Sequence, residues 1–337
     1  MITTRAMNAK MRDAAQLSRA TRPFIREDKA KTWRLLLTTI AVISALHLTT
    51  LLAPWLPLKI ASSVFCGLVY VRLFIFFHDY MHGAIGRGDK AMSAVMSVVG
   101  FLIMTVKSVW KETHNYHHKH NSKLIGSSIG SYPLLTVGMF RGLPKRKQFA
   151  YRFARHPLTI FFGYVPVFML GMTLSPFMRD KKAHWGGPVA LVVHLAIAAL
   201  SVWGLGWATG LLLTVVPVFV VTAVGAYLFY AQHNFPDMQL RGRRDWDYNH
   251  AALHCSSMFD MGPLGHWLTG NIGYHHVHHL NHKIPFYRLP EAMAAIPELQ
   301  NPGRTSWKPK DVMGCLRLAL WDPEQERMLS FKEALAR

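Results

Sequence analysis

Histidines occur in three short clusters whose spacing suits metal binding. The clusters are HDYMH from His78 to His82, HNYHH from His114 to His118, and HHVHH from His275 to His279. On a helix, residues at positions i, i+3 and i+4 share one face. The first cluster therefore offers two imidazoles to one side, and each of the others offers three. If the three helices meet, eight imidazoles converge.

Eight neutral imidazoles exceed the needs of one ion, since a structural zinc takes only four ligands. The number therefore favours two metal ions. Imidazole suits iron, zinc, copper and nickel. A redox-capable pair is the economical interpretation, and iron is the commonest metal of oxygen chemistry, although ligand type alone leaves zinc open. One such motif arises by chance fairly often, but three beside apolar segments point to a common site.

Other residues near the clusters have weaker claims. His233 follows an apolar segment at the expected level of the clusters, which makes it a candidate ninth ligand. His276 falls about 100° off the ligand face of its helix, and His120 points away from the second cluster. Four acidic residues are candidates to orient ligand histidines, with surface solvation as the alternative. They are Asp79, Glu112, Asp245 and Asp247.

The composition indicates a membrane protein. Of 337 residues, 51% are hydrophobic and 17% are charged, whereas soluble domains carry about 25% charged residues. The formal charge of +20 could attract nucleic acid, but the basic residues flank apolar runs instead of forming one module. We therefore expect positive-inside charge and lipid contact, and no nucleic-acid partner. The three cysteines are far apart and are interpreted as small apolar residues.

Two long apolar stretches predict two membrane hairpins, since one helical span needs about 20 apolar residues. We expect spans at about 35–54, 58–78, 186–204 and 209–230. The shorter stretches 91–106 and 158–178 should not cross the membrane. An even number of crossings must separate the histidine clusters if they are to meet on one side, so both stretches should lie in the interface or re-enter.

The basic residues set the expected orientation. They are concentrated in the N-terminal arm, in 107–155 and in 238–310, but not in the hairpin turns. Both termini and the histidine clusters should therefore be cytoplasmic. The expected domains are a basic cytoplasmic arm (1–32), a membrane domain (33–290) and a cytoplasmic C-terminal tail (291–337). The expected fold is an all-α integral membrane protein with four transmembrane helices in two hairpins, a cytoplasmic histidine-rich helical cap and one or two interfacial helices.

The clusters, in this order around two hairpins, resemble the histidine boxes of the membrane fatty acid desaturases. The segment GNIGYHHVHHL, from Gly270 to Leu280, and the following IPFYRL are similar to bacterial and plastid acyl-lipid desaturases. Those proteins commonly have an IPNY-type stretch, with Asn where this chain has Phe286. The resemblance covers roughly residues 30–290. One departure is Gly130-Ser131, where family members often have Gly-Asp. The first box is also shorter than the HxxxxH of some acyl-CoA desaturases.

The resemblance implies a non-haem di-iron centre that uses O₂ and external electrons to place a double bond in a long, lipid-linked acyl chain. The ligands it implies are His78, His82, His114, His117, His118, His233, His275, His278 and His279. The substrate would be an acyl-lipid or an acyl thioester, and the location a bacterial inner membrane. The main alternative is a hydroxylase or ketolase acting on an alkane, carotenoid or sphingolipid. A non-catalytic metal-binding or transport protein is the alternative from another class.

Electrons should come from a separate protein. The chain contains no His-Pro-Gly-Gly haem motif and no cysteine set for an iron–sulfur cluster. The basic cytoplasmic face favours a ferredoxin as donor, with cytochrome b5 or rubredoxin as alternatives. Five aromatic residues near the ends of the spans are candidates to line an acyl tunnel, with lipid-facing packing as the alternative. They are Phe74, Phe76, Phe77, Tyr227 and Phe229.

Overall fold

The computed structural model describes residues 12–124 and 130–336, which are mostly helical. The longer helices are α2 (Lys29–Leu52), α3 (Leu56–His82), α4 (Lys90–Leu102), α5 (Lys107–Lys119), α7 (Lys145–Ala154), α10 (Gly186–Leu205) and α12 (Val215–Gln232). The shorter helices are α1 (Ala14–Thr21), α6 (Val137–Arg141), α8 (Pro157–Phe161), α9 (Ser175–Arg179), α11 (Trp207–Leu213), α13 (Tyr248–His254), α14 (Gly262–Leu268), α15 (His275–Leu280), α16 (Leu289–Ala295), α17 (Pro309–Arg317) and α18 (Phe331–Leu335). Short 3₁₀-helices lie at Arg22–Ile25, Phe286–Arg288 and Pro297–Leu299.

Four helical segments are long and apolar enough to cross a membrane, as the hydropathy predicted. They are Lys29–Leu52, Leu56–His82, Gly186–Leu205 and Trp207–Gln232, the last of which combines α11 and α12. α3 packs against both α2 and α12. Few residues of α2 and α10 are buried, whereas more residues of α3 and of the segment that combines α11 and α12 are buried. The two inner helices are those whose ends carry histidines.

The ends of these helices are set by capping residues and not by hydropathy alone. α2 begins before its apolar window because the Asp28 carboxylate accepts a hydrogen bond of 2.9 Å from the Lys31 amide. Pro57 occupies the first turn of α3, where no N–H is needed. α3 ends at Gly83, whose φ of 66° is the left-handed conformation common after helices. The helix therefore continues far enough to include the first histidine cluster.

The two shorter apolar stretches do not form straight spans. α4 and α5 meet at an angle of 89°, and Met104 in the break has a positive φ of 54°. The stretch 158–178 is divided among α8, a π-helix (Tyr164–Leu174) and α9. The Phe168 amide donates to the Gly163 carbonyl, five residues earlier, at 3.0 Å, which is the π-helical pattern. None of these pieces has spanning length.

The all-α expectation was incomplete, because the described residues also contain two small sheets. The strands are β1 (Leu135–Thr136), β2 (Met258–Asp260), β3 (Arg304–Ser306), β4 (Leu318–Asp322) and β5 (Arg327–Ser330). One sheet has the order β1-β4-β5, with β1 and β4 parallel and β4 and β5 antiparallel. The other pairs β2 and β3 in parallel. These strands are short and pair with partners that are mostly distant in sequence, so no local alternation revealed them.

Both terminal segments pack onto the rest of the described chain. The Arg12 guanidinium forms a two-pronged ion pair with the Glu298 carboxylate, with a closest contact of 2.5 Å. Near the C-terminus, the Leu318 carbonyl accepts from the Tyr230 hydroxyl at 3.0 Å. The Asn234 amide donates to the Cys315 carbonyl at 2.7 Å. These bonds fix the segment that follows α12, where His233 lies.

Candidate metal centre

Three helices and one helix end supply the clustered histidines. The last turns of α3 carry the first cluster, and α5 carries the second. α15 consists almost entirely of the third cluster. His233 is the first residue after α12. All the histidines of the three clusters and His233 are thereby brought to one region of the molecule.

The nine histidines predicted as ligands fall into two groups. One group contains His78, His82, His114, His118 and His278, and the other contains His117, His233, His275 and His279. Within each group, one ring nitrogen of every residue lies within 4.8 Å of the others. All are buried except His114 and His233, which are half-buried. The arrangement is therefore two adjacent all-imidazole sites, one with five donors and one with four.

The two HxxHH clusters are divided between these sites. On α5, His114 and His118 contribute to the five-histidine group, while His117 contributes to the four-histidine group. On α15, His278 joins the five-histidine group, while His275 and His279 join the other. The histidines at positions i and i+4 of each cluster thus belong to the same group, and the histidine at i+3 belongs to the other group. Each of these helices lies across both sites and fixes their separation.

The spacing of the nitrogens fits metal coordination. In the five-histidine group, His114 Nε2 lies 3.1 Å from His78 Nε2 and 3.1 Å from His118 Nε2. In the four-histidine group, the corresponding distances run from 2.8 Å between His275 and His233 to 3.2 Å between His117 and His279. Two ligands at right angles around one ion, with bonds of about 2.1 Å, are separated by about 3.0 Å. The donors are therefore placed as neighbouring ligands of an ion.

His82 provides a second test of fit. Both of its ring nitrogens are buried and have no hydrogen-bond partner among the described residues. Leaving a buried polar atom unsatisfied costs about 1–3 kcal/mol. A metal ion bound by one of these nitrogens would remove part of that cost. An all-imidazole donor set is suited to iron, and equally to zinc, copper or nickel.

The electrostatic environment keeps these imidazoles neutral. Burial, followed by the neighbouring histidines, holds the pKa values of six of them well below the ordinary range. They are His114, His117, His118, His275, His278 and His279. Burial also lowers the pKa of His233 to about 4. A metal-binding imidazole must have a free lone pair, so these groups are ready to bind ions at neutral pH.

Comparison with known proteins identifies the family. A model of the fatty acid desaturase family matches residues 53–309, well over half of the chain. The chain belongs to the fatty acid desaturase family. It is 31% identical to a fatty acid desaturase of Bacillus subtilis over 277 residues, which cover 82% of this chain and 78% of that protein.

More distant relatives differ in reaction and substrate. The sn-1 oleoyl-lipid 12-desaturase of Anabaena variabilis is 23% identical, over 84% of this chain and 82% of its own. A human sphingolipid delta(4)-desaturase/C4-monooxygenase is 26% identical, over 86% of this chain and 81% of its own. The resemblance read from the histidine boxes is thereby confirmed, and this protein is a fatty acid desaturase and an oxidoreductase.

In three of the nine histidines of this desaturase, Nδ1 has a hydrogen-bond partner outside the two histidine groups. The Asp79 carboxylate accepts from His78 Nδ1 at 2.9 Å and from the Phe286 amide at 2.7 Å. His117 Nδ1 lies 2.6 Å from the Ser131 hydroxyl. His233 Nδ1 donates to the Cys255 carbonyl at 3.1 Å. Such contacts fix the tautomer and aim Nε2 into the site.

Of the four acidic residues considered from the sequence, only Asp79 contacts a histidine of the two groups. Glu112 contacts His184, with 2.9 Å between a carboxylate oxygen and Nε2. Asp247 caps α13 by accepting from the His250 amide at 2.8 Å, and Asp245 is exposed. Acidic residues near a cluster in sequence are not necessarily near it in space, so only tertiary structure separated Asp79 from the others.

The remaining histidines near the site lie outside both groups. His276 is buried, and its Nε2 donates to the Leu299 carbonyl at 3.2 Å. His120 turns away, stacks on Tyr116 and bonds to the carbonyl of that residue at 2.9 Å. The His282 ring lies 4.7 Å from that of His82. His276 and His120 thus bond to backbone carbonyls, whereas the His282 ring borders the five-histidine group.

A small cavity of about 30 Å³ lies beside the four-histidine group. Its walls include His117, His233, Phe229 and the buried Arg155. Of the five aromatic candidates for a tunnel, Phe229 alone reaches this cavity, with its ring 4.9 Å from that of His117. Two others pack in the core, Phe76 on Phe286 and Phe77 on Trp110.

Arg155 is a structural residue of this region that sequence reasoning missed. One guanidinium nitrogen donates to the Pro133 carbonyl at 2.6 Å, and another donates to the side-chain oxygen of Asn234. Arg155 thereby ties the residue after His233 to the segment that follows Ser131. In the sequence it was one of many basic residues counted toward membrane orientation, and no local pattern distinguishes a buried arginine from an exposed one.

Proposed function

We propose that this desaturase uses two iron ions, one in each histidine group, and O₂ to introduce a double bond into a long acyl chain carried on a lipid. The observation that supports this most strongly is the division of nine imidazoles into two adjacent sites of five and four donors. Two redox-active ions can share the oxidising equivalents needed to remove hydrogen from an unactivated methylene. The oleoyl-lipid specificity in the name of the Anabaena relative supports a lipid-linked substrate.

The residues of this chain hold and orient the site. Asp79 and Ser131 hold His78 and His117 with Nε2 directed inward. The four-histidine group borders the small cavity, whose volume of about 30 Å³ is close to that of one water molecule. A space of this size beside the donors suits a small molecule such as O₂ or water.

Electron supply and orientation complete the proposal. The basic segments adjoining the histidine-bearing helices favour a cytoplasmic location for the site and both termini. The same positive charge suits an acidic electron carrier, for which a separate ferredoxin is the proposed donor and cytochrome b5 or rubredoxin are alternatives. The boundaries of the N-terminal arm (1–32), the membrane domain (33–290) and the C-terminal tail (291–337) remain part of this proposal.

A hydroxylase is the second candidate, because the human relative is named both desaturase and monooxygenase. Both reactions begin with removal of one hydrogen from the acyl chain. In desaturation a second hydrogen is then removed, whereas in hydroxylation an oxygen atom is added to the chain. The two outcomes leave different lipids in an expressing host. New unsaturated acyl chains support desaturation, and hydroxylated chains support the second candidate.

The test combines lipid analysis with a ligand variant. Lipids from a host that expresses the wild type should contain new unsaturated acyl chains by gas chromatography–mass spectrometry. His278→Ala should abolish them and reduce the bound iron, because a donor of the five-histidine group is lost, while insertion into the membrane is unchanged. His120→Gln is the matched control, since His120 lies beside a cluster but faces away, and it should retain both product and iron. Undiminished turnover by His278→Ala would contradict the ligand assignment.

A further inference from the structure

A second, larger cavity lies apart from the cavity beside the four-histidine group. Its volume is about 640 Å³, within the usual range of ligand pockets, about 300–1,000 Å³. It is bounded by α2 and α3 on one side and by α14, β2, β3 and the segment around Phe286 on the other. None of the nine histidines of the two groups is among its described lining residues.

Cationic side chains outnumber acidic ones among the described residues that line this cavity. Lys31, Arg72 and Arg304 line it, whereas Asp260 is the single acidic residue among them. Asp260 lies 4.0 Å from the Nε2 atom of His266, and its side chain is 63% exposed. The three residues that are always charged at neutral pH are therefore opposed by one solvated carboxylate. The cavity as a whole favours an anion.

Arg72 is the most informative of these residues. It is 4% exposed and lies in the spanning helix α3. Its Nε donates to the Thr39 hydroxyl at 3.0 Å, and one terminal nitrogen donates to the Trp267 carbonyl at 2.6 Å. An arginine has five N–H donors, and no carboxylate of the described residues lies within ion-pair distance of this one. The rings of Phe76, Trp267 and Phe286 also lie within 6 Å of the guanidinium. A buried charge without a counterion is costly, so an anion in the cavity would stabilise Arg72.

The position of the cavity at the edge of the spanning helices indicates what carries that anion. Leu264 and Trp267 on α14 are 62% and 37% exposed, and Leu37 on α2 is 58% exposed. Exposed tryptophan beside exposed leucine is typical of the boundary between lipid and water. The guanidinium of Arg72 also lies 4.9 Å from the centre of the Trp267 ring. An anion held here would have apolar surface directly beside it, as a phospholipid requires.

We propose that this cavity binds the phosphate of a glycerophospholipid head group, with preference for an anionic lipid such as phosphatidylglycerol. Arg72 contacts the phosphate from the base of the cavity, and Lys31 and Arg304 approach it from the rim. The acyl chains lie along Leu35 and Trp267 toward the exposed apolar surface. The cavity is much larger than a bare phosphate needs, which favours the lipid over the free ion. The inference does not depend on the proposed chemistry, because binding is measured without turnover.

The test uses the full-length, metal-loaded protein in a neutral detergent. Native mass spectrometry would follow titration with phosphatidylglycerol, phosphatidylcholine and inorganic phosphate as separate arms. The variant carries Lys31→Gln and Arg304→Gln together, since both are accessible rim residues whose replacement leaves the core intact. The control carries Arg34→Gln and Arg243→Gln, which remove the same charge from exposed positions outside the cavity. Bound iron and the thermal transition verify that each variant is folded.

The wild type should hold one phosphatidylglycerol, and the rim variant should bind it at least about tenfold more weakly. The control should match the wild type within about twofold, and phosphatidylcholine should bind more weakly than phosphatidylglycerol. Equal weakening in the control would mean that surface charge alone attracts the lipid and would overturn the site. Unchanged affinity in the rim variant would also overturn it. Inorganic phosphate that displaces the lipid at comparable concentration would assign the cavity to the free anion instead.

Discussion

Helical position decides to which of the two histidine groups each histidine of an HxxHH cluster belongs. His114 and His118 are four residues apart and face one site, while His117 between them faces the other. The same rule separates His278 from His275 and His279. A single helical turn therefore contributes donors to both groups, and a substitution at one histidine affects one group first.

Asp79 provides the clearest prediction at the level of single residues. Its carboxylate bonds to both His78 and the backbone amide of Phe286. Asp79 thus connects the first histidine cluster to the segment that follows the third cluster. Asp79→Asn keeps the size of the side chain but removes the charge that orients His78. We expect metal affinity and turnover to fall about 10–100-fold. Iron retained after dialysis against a chelator, measured together with the rate, checks this.

Asp245→Asn is the matched control for Asp79→Asn, because Asp245 was an equal candidate in the sequence but is exposed in the structure. It should bind iron like the wild type. If Asp79→Asn also kept its iron and rate, Asp79 would have no positioning role.

A two-pronged ion pair attaches the start of the described chain to a helix far along the sequence. α1 and the 3₁₀-helix Pro297–Leu299 are distant in sequence and are joined by the ion pair of Arg12 and Glu298. Hydrogen bonding to Arg12 holds the pKa of the Glu298 carboxyl at about 2, below its usual 4.5. The pair therefore stabilises the attachment of α1 above pH 4.5. That contribution declines as the pH falls from 4.5 toward 2.

Glu298→Gln should loosen α1 by about 1 kcal/mol at pH 7, since the pair is partly exposed. Hydrogen exchange of the α1 amides should accelerate in this variant, and its difference from the wild type should narrow as the pH is lowered below 4.5. Glu324→Gln, at an exposed position in the turn between β4 and β5, should leave α1 exchange unchanged at every pH. A difference that is independent of pH would exclude the ion pair as its cause.

At the scale of the whole molecule, the arrangement of spans places the histidine groups at one end of the helices. The turn between α10 and α11 lies at the other end of α12 from His233. The three native cysteines are buried, so introduced cysteines can report the side of the membrane. Gly204→Cys should react with an impermeant thiol reagent in intact cells. Arg243→Cys should react only after the membrane is opened, because the histidine side is expected to be cytoplasmic.

Position 204 tolerates the change from glycine to cysteine, since a Cβ atom added at Gly204 would meet no atom within 4 Å. Reaction of both cysteines from the same side would contradict the four-span topology. Reaction with the two sides exchanged would keep the topology but reverse the proposed orientation.

The sequence by itself determined the features that depend on local patterns. Hydropathy located the four helical segments that are long and apolar enough to cross a membrane, because a membrane span is a continuous apolar run. Helical spacing selected the eight histidines of the three clusters and excluded His276 and His120, because the periodicity of a helix fixes which residues share a face. His233 was added from its position after an apolar segment. The family followed from the same motifs.

Only the tertiary structure decided features that depend on residues distant in sequence. It divided the nine histidines into groups of five and four, and it selected Asp79 from four acidic candidates. It also placed Arg155 beside His233 and paired strands that no local alternation revealed. The physical reason is common to all of these. Spacing along one helix fixes direction, but distance between helices follows from how the whole chain packs.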